Sequence, residues 1–157
     1  MSDDAAVRRL LDIEEIKQLK ARYCLLLDTQ DWSELRRLFV DDARAKVSSG
    51  MHESADALVA SFEARLTGNS HCHFAQMPII EVDGDNARGL WGFSNRGALG
   101  HYQEEYRRED GVWKISFIQQ TWIIPPSEEL LRIRTGTFHE QADQWHAIAE
   151  GWKRPRV

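Results

Sequence analysis

In the sequence HFAQMPIIEVDGD, residues 73–85, a long β-type run meets a tight Asp-Gly turn. Such a turn between two extended segments is typical of a hairpin. A second strand, a third strand, another Asp-Gly turn and a fourth strand are predicted downstream, at residues 86–97, 100–109, 110–111 and 112–124. Alternation along the fourth strand predicts that four side chains share one face, namely Trp113, Ile115, Phe117 and Gln119. The pattern therefore predicts four successive antiparallel strands.

The segment at the start of the chain follows a helical period instead. Apolar side chains recur there every three or four positions, at Val7, Leu10, Ile13, Ile16, Leu19, Tyr23 and Leu26. This spacing predicts an amphipathic helix of about 20 residues. The helix is expected to end near Asp28, where the apolar spacing breaks.

Two shorter helices are predicted before the first long strand. Asp31 and Glu34 have the spacing of a capping box and begin the second helix, with a buried stripe of Leu35, Leu38 and Phe39. The acidic pair Asp41-Asp42 is expected to close that helix, and residues 43–47 form a short strand. Ser54 caps the third helix, whose apolar face is Leu58, Phe62 and Leu66.

Helices first and antiparallel strands afterwards are the order of an α+β fold. We expect a cone-shaped half-barrel, in which a curved and mainly antiparallel sheet packs against the N-terminal helices. Pro125-Pro126 ends the strand pattern, so this domain is expected to span residues 1–126. Residues 127–157 are predicted to form a C-terminal helical extension with the stripe Phe138, Ala142, Trp145, Ala149 and Trp152. The extension is expected to pack on the body or on a partner subunit, and a lid over a pocket is the alternative.

Composition narrows the range of functions. The 157 residues carry a net charge of -5, which argues against nucleic-acid binding because phosphate contacts require a clustered basic face. No segment approaches the roughly 20 apolar residues of a membrane span, and no secretory leader follows Met1, so we expect a cytoplasmic protein. Cys24 and Cys72 fit no disulfide or zinc pattern and are expected to be buried small side chains.

Asp28 at the end of the first helix and His73 at the start of the first long strand could meet in one small domain. Imidazole is a suitable base near neutral pH, and a neighbouring carboxylate fixes its tautomer and stabilises the imidazolium. A carboxylate at a helix C-terminus opposes the helix dipole, so Asp28 requires a compensating partner. The Asp28–His73 pair is the predicted catalytic centre. Tyr23 can border the same cavity if the helix unwinds at Asp28, and would polarise a carbonyl or a leaving oxygen.

His71 and His73 allow a second interpretation. In a strand the two rings would share one face, and with His101 or Glu104 they could ligate a metal. The alternative places His71 in the loop before the strand. Because no complete ligand set and no nucleotide-binding motif is spaced convincingly, we expect neither a metal nor a cofactor.

Alternation also predicts residues that line the core or a substrate cavity, namely Trp91, Phe93, Asn95, Phe117 and Trp122. Asn95 is the most informative of them, because a polar side chain on the face of Trp91 and Phe93 needs a hydrogen-bond partner. It could bind a substrate oxygen.

The chain resembles the SnoaL-like branch of the nuclear transport factor 2-like superfamily over roughly residues 8–120. The matching pieces are IKQLKARY at 16–23, LDTQDW at 27–32, LFVDDA at 38–43, IIEVDGD at 79–85 and REDGVWKI at 108–115. Lyases of this branch, such as scytalone dehydratase, bile-acid dehydratase and hexachlorocyclohexane dehydrochlorinase, place a Tyr and an Asp at the end of the first helix and a His on the first long strand. Tyr23, Asp28 and His73 occupy those places. The resemblance implies a cofactor-free lyase, and makes His101 and Arg107 candidates for further active-site roles, with His101 taken as substrate-binding.

The leading hypothesis is a dehydratase-like lyase that acts on a bulky, largely apolar cyclic substrate. His73 would be the base, Asp28 its orienter and Tyr23 an acid or electrophilic helper. Two alternatives stay open: an isomerase or cyclase that uses the same pair, and a non-catalytic small-molecule-binding or scaffold module. A homodimer or homotrimer is expected, because an open sheet and an aromatic C-terminal stripe both need cover.

Overall fold

The computed structural model describes residues 3–95, 97–125 and 150. Three helices precede the main strands: α1 (Asp3–Thr29), α2 (Trp32–Arg37) and α3 (Ala55–Leu66). Six strands follow or interleave with them: β1 (Phe39–Val47), β2 (Gly50–His52), β3 (His73–Asp83), β4 (Asn86–Asn95), β5 (Ala98–Glu109) and β6 (Val112–Ile124). The predicted extension at residues 127–157 lies outside the described residues, apart from Glu150.

The six strands form one unclosed, curved sheet in the order β2-β1-β6-β5-β4-β3. Neighbouring strands are antiparallel except β1 and β6, which run parallel. The helices pack on one face of this sheet, with α1 against β3 and α3 against β1. The expected α+β architecture, with a mainly antiparallel curved sheet packed against N-terminal helices, is confirmed.

The predicted helix starts are confirmed by their caps. The Asp31 carboxylate accepts the Glu34 backbone N–H at 3.2 Å, and the Ser54 hydroxyl accepts the Ala57 N–H at 3.2 Å. Each bond satisfies a backbone donor that a helix leaves free in its first turn. None of the helices in the described part of the chain has the length and apolar character needed to cross a bilayer.

The second helix is shorter than predicted, because β1 begins at Phe39. Asp41 and Asp42 therefore lie in a strand and do not close the helix. The strand forms there because its parallel partner comes from the far end of the domain, where the Ile115 N–H donates to the Leu38 carbonyl at 2.8 Å. The hairpin strand β2 was not predicted at all.

A β-bulge in β6 overturns the predicted alternation of that strand. Tyr106 pairs with Ile115 and Glu105 with Phe117, so the register skips Ser116. The extra residue turns the following side chains to the opposite face. Trp113 and Ile115 face the helices, whereas Phe117 lies on the outer face, 5.9 Å from the Arg44 guanidinium.

The core lies between the helices and the concave face of the sheet, and its centre is aromatic. The Tyr23 ring meets Phe39 and Tyr102 edge-on, with centroids 6.1 and 6.3 Å apart. Phe93 packs under Tyr102 at 4.5 Å and against Trp122 at 5.0 Å. The Tyr23–Tyr102 contact links α1 to β5, and the packing of α1 against β3 brings the C-terminal end of the helix beside the start of that strand.

One cysteine prediction is wrong. Cys24 is buried in α1 as expected, but Cys72 is exposed, because it lies in the loop before β3 and not in the strand. Burial raises the pKa of the Cys24 thiol to about 12. That thiol is therefore protonated and unreactive near neutral pH.

Candidate active site

Asp28 and His73 meet at one end of the sheet's concave face. Asp28 is the penultimate residue of α1 and His73 is the first residue of β3. The Asp28 Oδ1 atom lies 2.6 Å from His73 Nδ1, and both side chains are nearly inaccessible to solvent. The backbone N–H of His73 donates to the same carboxylate, at 2.9 Å to Oδ2 and 3.1 Å to Oδ1. These donors compensate the unfavourable position of an acid at a helix C-terminus.

Asn95 contacts the other nitrogen of the same ring. The β3–β4 register pairs His73 with Asn95, and the Asn95 Nδ2 atom lies 2.8 Å from His73 Nε2. The two contacts are compatible with a neutral imidazole whose Nδ1–H donates to Asp28 and whose Nε2 lone pair accepts from the Asn95 amide. The Asn95 Oδ1 atom is buried and has no hydrogen-bond partner among the described residues.

A cavity of about 300 Å³ opens beside this pair. Its described lining consists of Tyr23, Leu27, Val47, Ser48, Phe62, Arg65, Leu66, His71, His73, Asn95, Tyr102, Gln120 and Trp122. The walls are mainly apolar and aromatic, with a few polar groups, as is usual for small-molecule sites. Asp28 lies behind His73 and does not itself line the cavity.

Tyr23 and Tyr102 place their rings in the cavity wall. Burial raises the pKa of both phenols well above the usual value of 10.0, and the Glu104 carboxylate raises the pKa of Tyr23 further. Both hydroxyls therefore remain protonated near neutral pH and can act as hydrogen-bond donors.

A buried ion pair lies behind these two rings. The Lys20 amino group is 4.1 Å from the Tyr23 ring centroid and 3.7 Å from that of Tyr102, and it pairs with Glu104. Both charged side chains are essentially inaccessible to solvent. Glu104 also accepts the Tyr106 hydroxyl, which in turn accepts the Trp91 indole N–H at 2.8 Å.

The sequence interpretation missed this network. The helical period puts Lys20 on the polar face of the first helix, because a lysine between apolar positions is usually exposed. A signal was present in β5, where Glu104 falls between Tyr102 and Tyr106 at a spacing of two and so shares their inward face.

The predicted substrate-binding residues divide into three groups. Asn95 and Trp122 line the cavity. Trp91 and Phe93 are core residues beneath it, Trp91 bonded to Tyr106 and Phe93 packed on Tyr102. Phe117 and His101 are corrections, since both lie on the outer face, Phe117 because of the β6 bulge and His101 because it alternates with the buried Tyr102.

The metal interpretation of the two histidines is not supported by the geometry. His71 lies in the loop before β3, and its ring stacks on His73 with centroids 5.8 Å apart. His101 and Glu104 are three residues apart in β5, so they point to opposite faces of the sheet. The described residues contain no cluster of three or more His, Cys, Asp or Glu side chains suited to a metal ion. Arg107 pairs with Asp42 and Glu109, away from the cavity lining.

The described residues thus form an α+β protein in which helices cover one face of an unclosed curved sheet and a carboxylate–imidazole pair lies beside the cavity. The chain belongs to the SnoaL-like domain family, whose model matches residues 8–119. No curated protein matches it.

Three solved structures illustrate the likeness. The hexachlorocyclohexane dehydrochlorinase LinA-type3 from Novosphingobium barchaimii LL02 has a TM-score of 0.70 and 20% identity, covering 78% of this chain and 94% of its own. A proposed scytalone dehydratase from Novosphingobium aromaticivorans DSM 12444 has a TM-score of 0.65 and 21% identity, and the match covers 74% of this chain and 87% of its own. An NTF2-like protein with a cystatin-like fold from Novosphingobium aromaticivorans has a TM-score of 0.68 and 22% identity, and the match covers 85% of this chain and 95% of its own. At these identities the likeness shows the shared fold.

Proposed function

We propose that the protein is a lyase that eliminates water or another small leaving group from a cyclic, largely apolar substrate, without a bound cofactor. The observation that carries the proposal is the 2.6 Å contact between Asp28 and His73 Nδ1, with His73 itself lining the cavity. A carboxylate fixed at one imidazole nitrogen makes the opposite nitrogen available as a base.

In the proposed reaction, His73 Nε2 removes a proton from a substrate carbon next to a carbonyl group. The Asp28 carboxylate holds the ring in the Nδ1–H tautomer and balances the charge of the imidazolium that forms. The electron pair of the broken C–H bond forms the new double bond as the leaving group departs. A substrate must first displace the Asn95 amide from Nε2, and the Asn95 carboxamide is then free to bind a substrate oxygen.

Tyr23 is the proposed proton donor for the leaving oxygen. Its hydroxyl stays protonated because burial raises its pKa, and Tyr23 lines the same cavity as His73. A dehydrochlorinase and a proposed scytalone dehydratase among the structural relatives support elimination as the reaction class.

The proposal is tested with a panel of cyclic β-hydroxy ketones. Turnover is followed by the absorbance of the conjugated product, and carbon–hydrogen exchange in D₂O by NMR. Loss of general-base catalysis in His73→Gln is expected to lower the rate by about 10²- to 10⁴-fold. His101→Gln, a matched change on the outer face, should keep the wild-type rate.

The two readouts separate the alternatives. Isotope exchange without release of a leaving group would identify an isomerase or cyclase instead of a lyase. Binding with neither exchange nor turnover, or a His73→Gln variant as active as the wild type, would contradict catalysis by this pair.

A further inference from the structure

One arginine side chain lines the cavity and has no role in the proposed reaction. Arg65, near the end of α3, is the one permanently charged side chain among the described lining residues. Its Nη2 donates to the Ser48 hydroxyl at 3.2 Å, and it forms no ion pair with a described carboxylate. Other arginines of the domain, such as Arg36 and Arg108, are each paired with two carboxylates.

Ser48 and Gln120 extend this polar end of the cavity. The Gln120 Oε1 atom accepts the backbone N–H of Ser48 at 3.3 Å, which fixes the carboxamide beside the serine. Ser48 directly follows β1 and Gln120 lies in β6, whereas His73 and Asn95 lie in β3 and β4. Strand β5 separates the two groups in the sheet. The cavity therefore has two polar ends, one on each side of β5.

The wall between those ends is apolar. Tyr102 in β5 and Trp122 in β6 cover the sheet side, while Leu27 and Phe62 come from α1 and α3. A ring system fits against such a wall, whereas a uniformly polar molecule would leave its groups without partners.

We propose that Arg65, together with Ser48 and Gln120, binds a carboxylate of the substrate. The substrate is then amphiphilic: an apolar ring between the aromatic walls, the reacting carbon at His73, and one carboxylate at the Arg65 end. A guanidinium presents paired N–H donors that match the two oxygens of a carboxylate. Because Arg65 lines the cavity and is exposed to solvent, the carboxylate keeps part of its hydration and avoids the desolvation cost of a buried ion. The orientation of the substrate rests on the proposed function, whereas carboxylate binding does not.

Binding of two inert probes tests the proposal without any need for turnover. Isothermal titration calorimetry at low salt compares 2-naphthoate with the isosteric neutral 2-naphthamide. The wild type should prefer the carboxylate, and Arg65→Gln should weaken naphthoate binding roughly three- to tenfold while leaving naphthamide binding unchanged. Arg88→Gln, which removes the same charge on the outer face, should change neither affinity.

Equal affinity for the two probes, an equal loss of both in Arg65→Gln, or no binding of either would overturn the carboxylate assignment. A preference for naphthoate that depends on Arg65 would support it even if no lyase activity is found. If His73→Gln is inactive and the wild type shows no preference for naphthoate over naphthamide, the lyase proposal is supported and the carboxylate proposal is refuted.

Discussion

The Asp28 carboxylate performs two functions at the start of β3. It accepts the ring Nδ1–H of His73 and also the backbone N–H of the same residue. A single carboxylate therefore secures the first residue of the strand and selects the tautomer of its imidazole. Such double use explains why an acid is tolerated at the end of α1.

Removal of the Asp28 carboxylate should change the tautomer of His73, which the ¹⁵N NMR chemical shifts of the ring nitrogens report. In the wild type, ¹⁵N-correlated NMR is expected to show His73 as the Nδ1–H tautomer, which is the minor form of free histidine. Asp28→Ala should shift the ring toward Nε2–H and cost about 1–3 kcal/mol of stability, because a buried donor loses its acceptor.

Asp83→Ala serves as the control, since Asp83 is an exposed acid at the opposite end of the same strand. It should leave the tautomer of His73 unchanged. An Nε2–H tautomer already present in the wild type would contradict the assigned hydrogen bonds.

At the scale of elements, α1 and β5 are joined by a buried charge pair, Lys20 with Glu104. Loss of one partner leaves the other charged and without solvent, which is more costly than loss of both. Lys20→Met is therefore expected to lower the free energy of unfolding by about 3–5 kcal/mol. The double variant Lys20→Met/Glu104→Gln should recover most of that loss, because the carboxamide oxygen introduced by the second substitution can still accept the Tyr106 hydroxyl.

Urea unfolding followed by circular dichroism measures these differences. Lys17→Met is the matched control on the same helix, where the side chain is exposed, and its effect should stay within about 0.5 kcal/mol. If Lys20→Met alone were as stable as the wild type, the prediction would be contradicted, because Glu104 would then not be left as an uncompensated buried charge.

The elements differ in how well the sequence predicted them. Helix caps and Asp-Gly turns depend on neighbouring residues, so Asp31, Ser54 and the β3–β4 hairpin were predicted correctly. The start of β1 and the bulge at Ser116 depend on pairing between strands far apart in the chain, and local patterns do not carry that information. The same limit explains the outward placement of Phe117. The contact of Asp28 with His73 also joins distant segments, but it was predicted because the helix end and the strand start are both readable locally and the family resemblance places an acid and a histidine there. The Lys20–Glu104 pair was missed because the helical period assigns Lys20 to the polar face of α1.

At the scale of the whole molecule, all three tyrosines of the chain are buried. Burial raises the pKa of Tyr23, Tyr102 and Tyr106 well above the usual value of 10.0, and Glu104 raises each of them further. The folded state thus holds the phenolic protons more tightly than the unfolded state. The contribution of the three protonated phenols to the free energy of unfolding is therefore complete below pH 10.0, the pKa of tyrosine in the unfolded chain. It is lost as the pH rises above that value, because the unfolded state ionises first.

An alkaline titration should therefore show no free tyrosine. Near-ultraviolet absorbance of tyrosinate is expected to appear in one cooperative step, together with the loss of the circular dichroism signal, above the pH at which free tyrosine ionises. A tyrosine that titrates at its ordinary pKa in the folded protein would contradict the burial of these three rings.

The parallel pairing of β1 with β6 has a consequence for the order in which the chain folds. Residues 39–47 acquire their central neighbour only when residues 112–124 are available. A nascent chain emerging from the ribosome therefore carries α1, α2 and β1 without the strand that joins them to the β3–β5 meander. Contacts of such high sequence separation slow folding and expose apolar surface to aggregation in the interval. Addition of β1 to the main sheet therefore requires that β6 is already available.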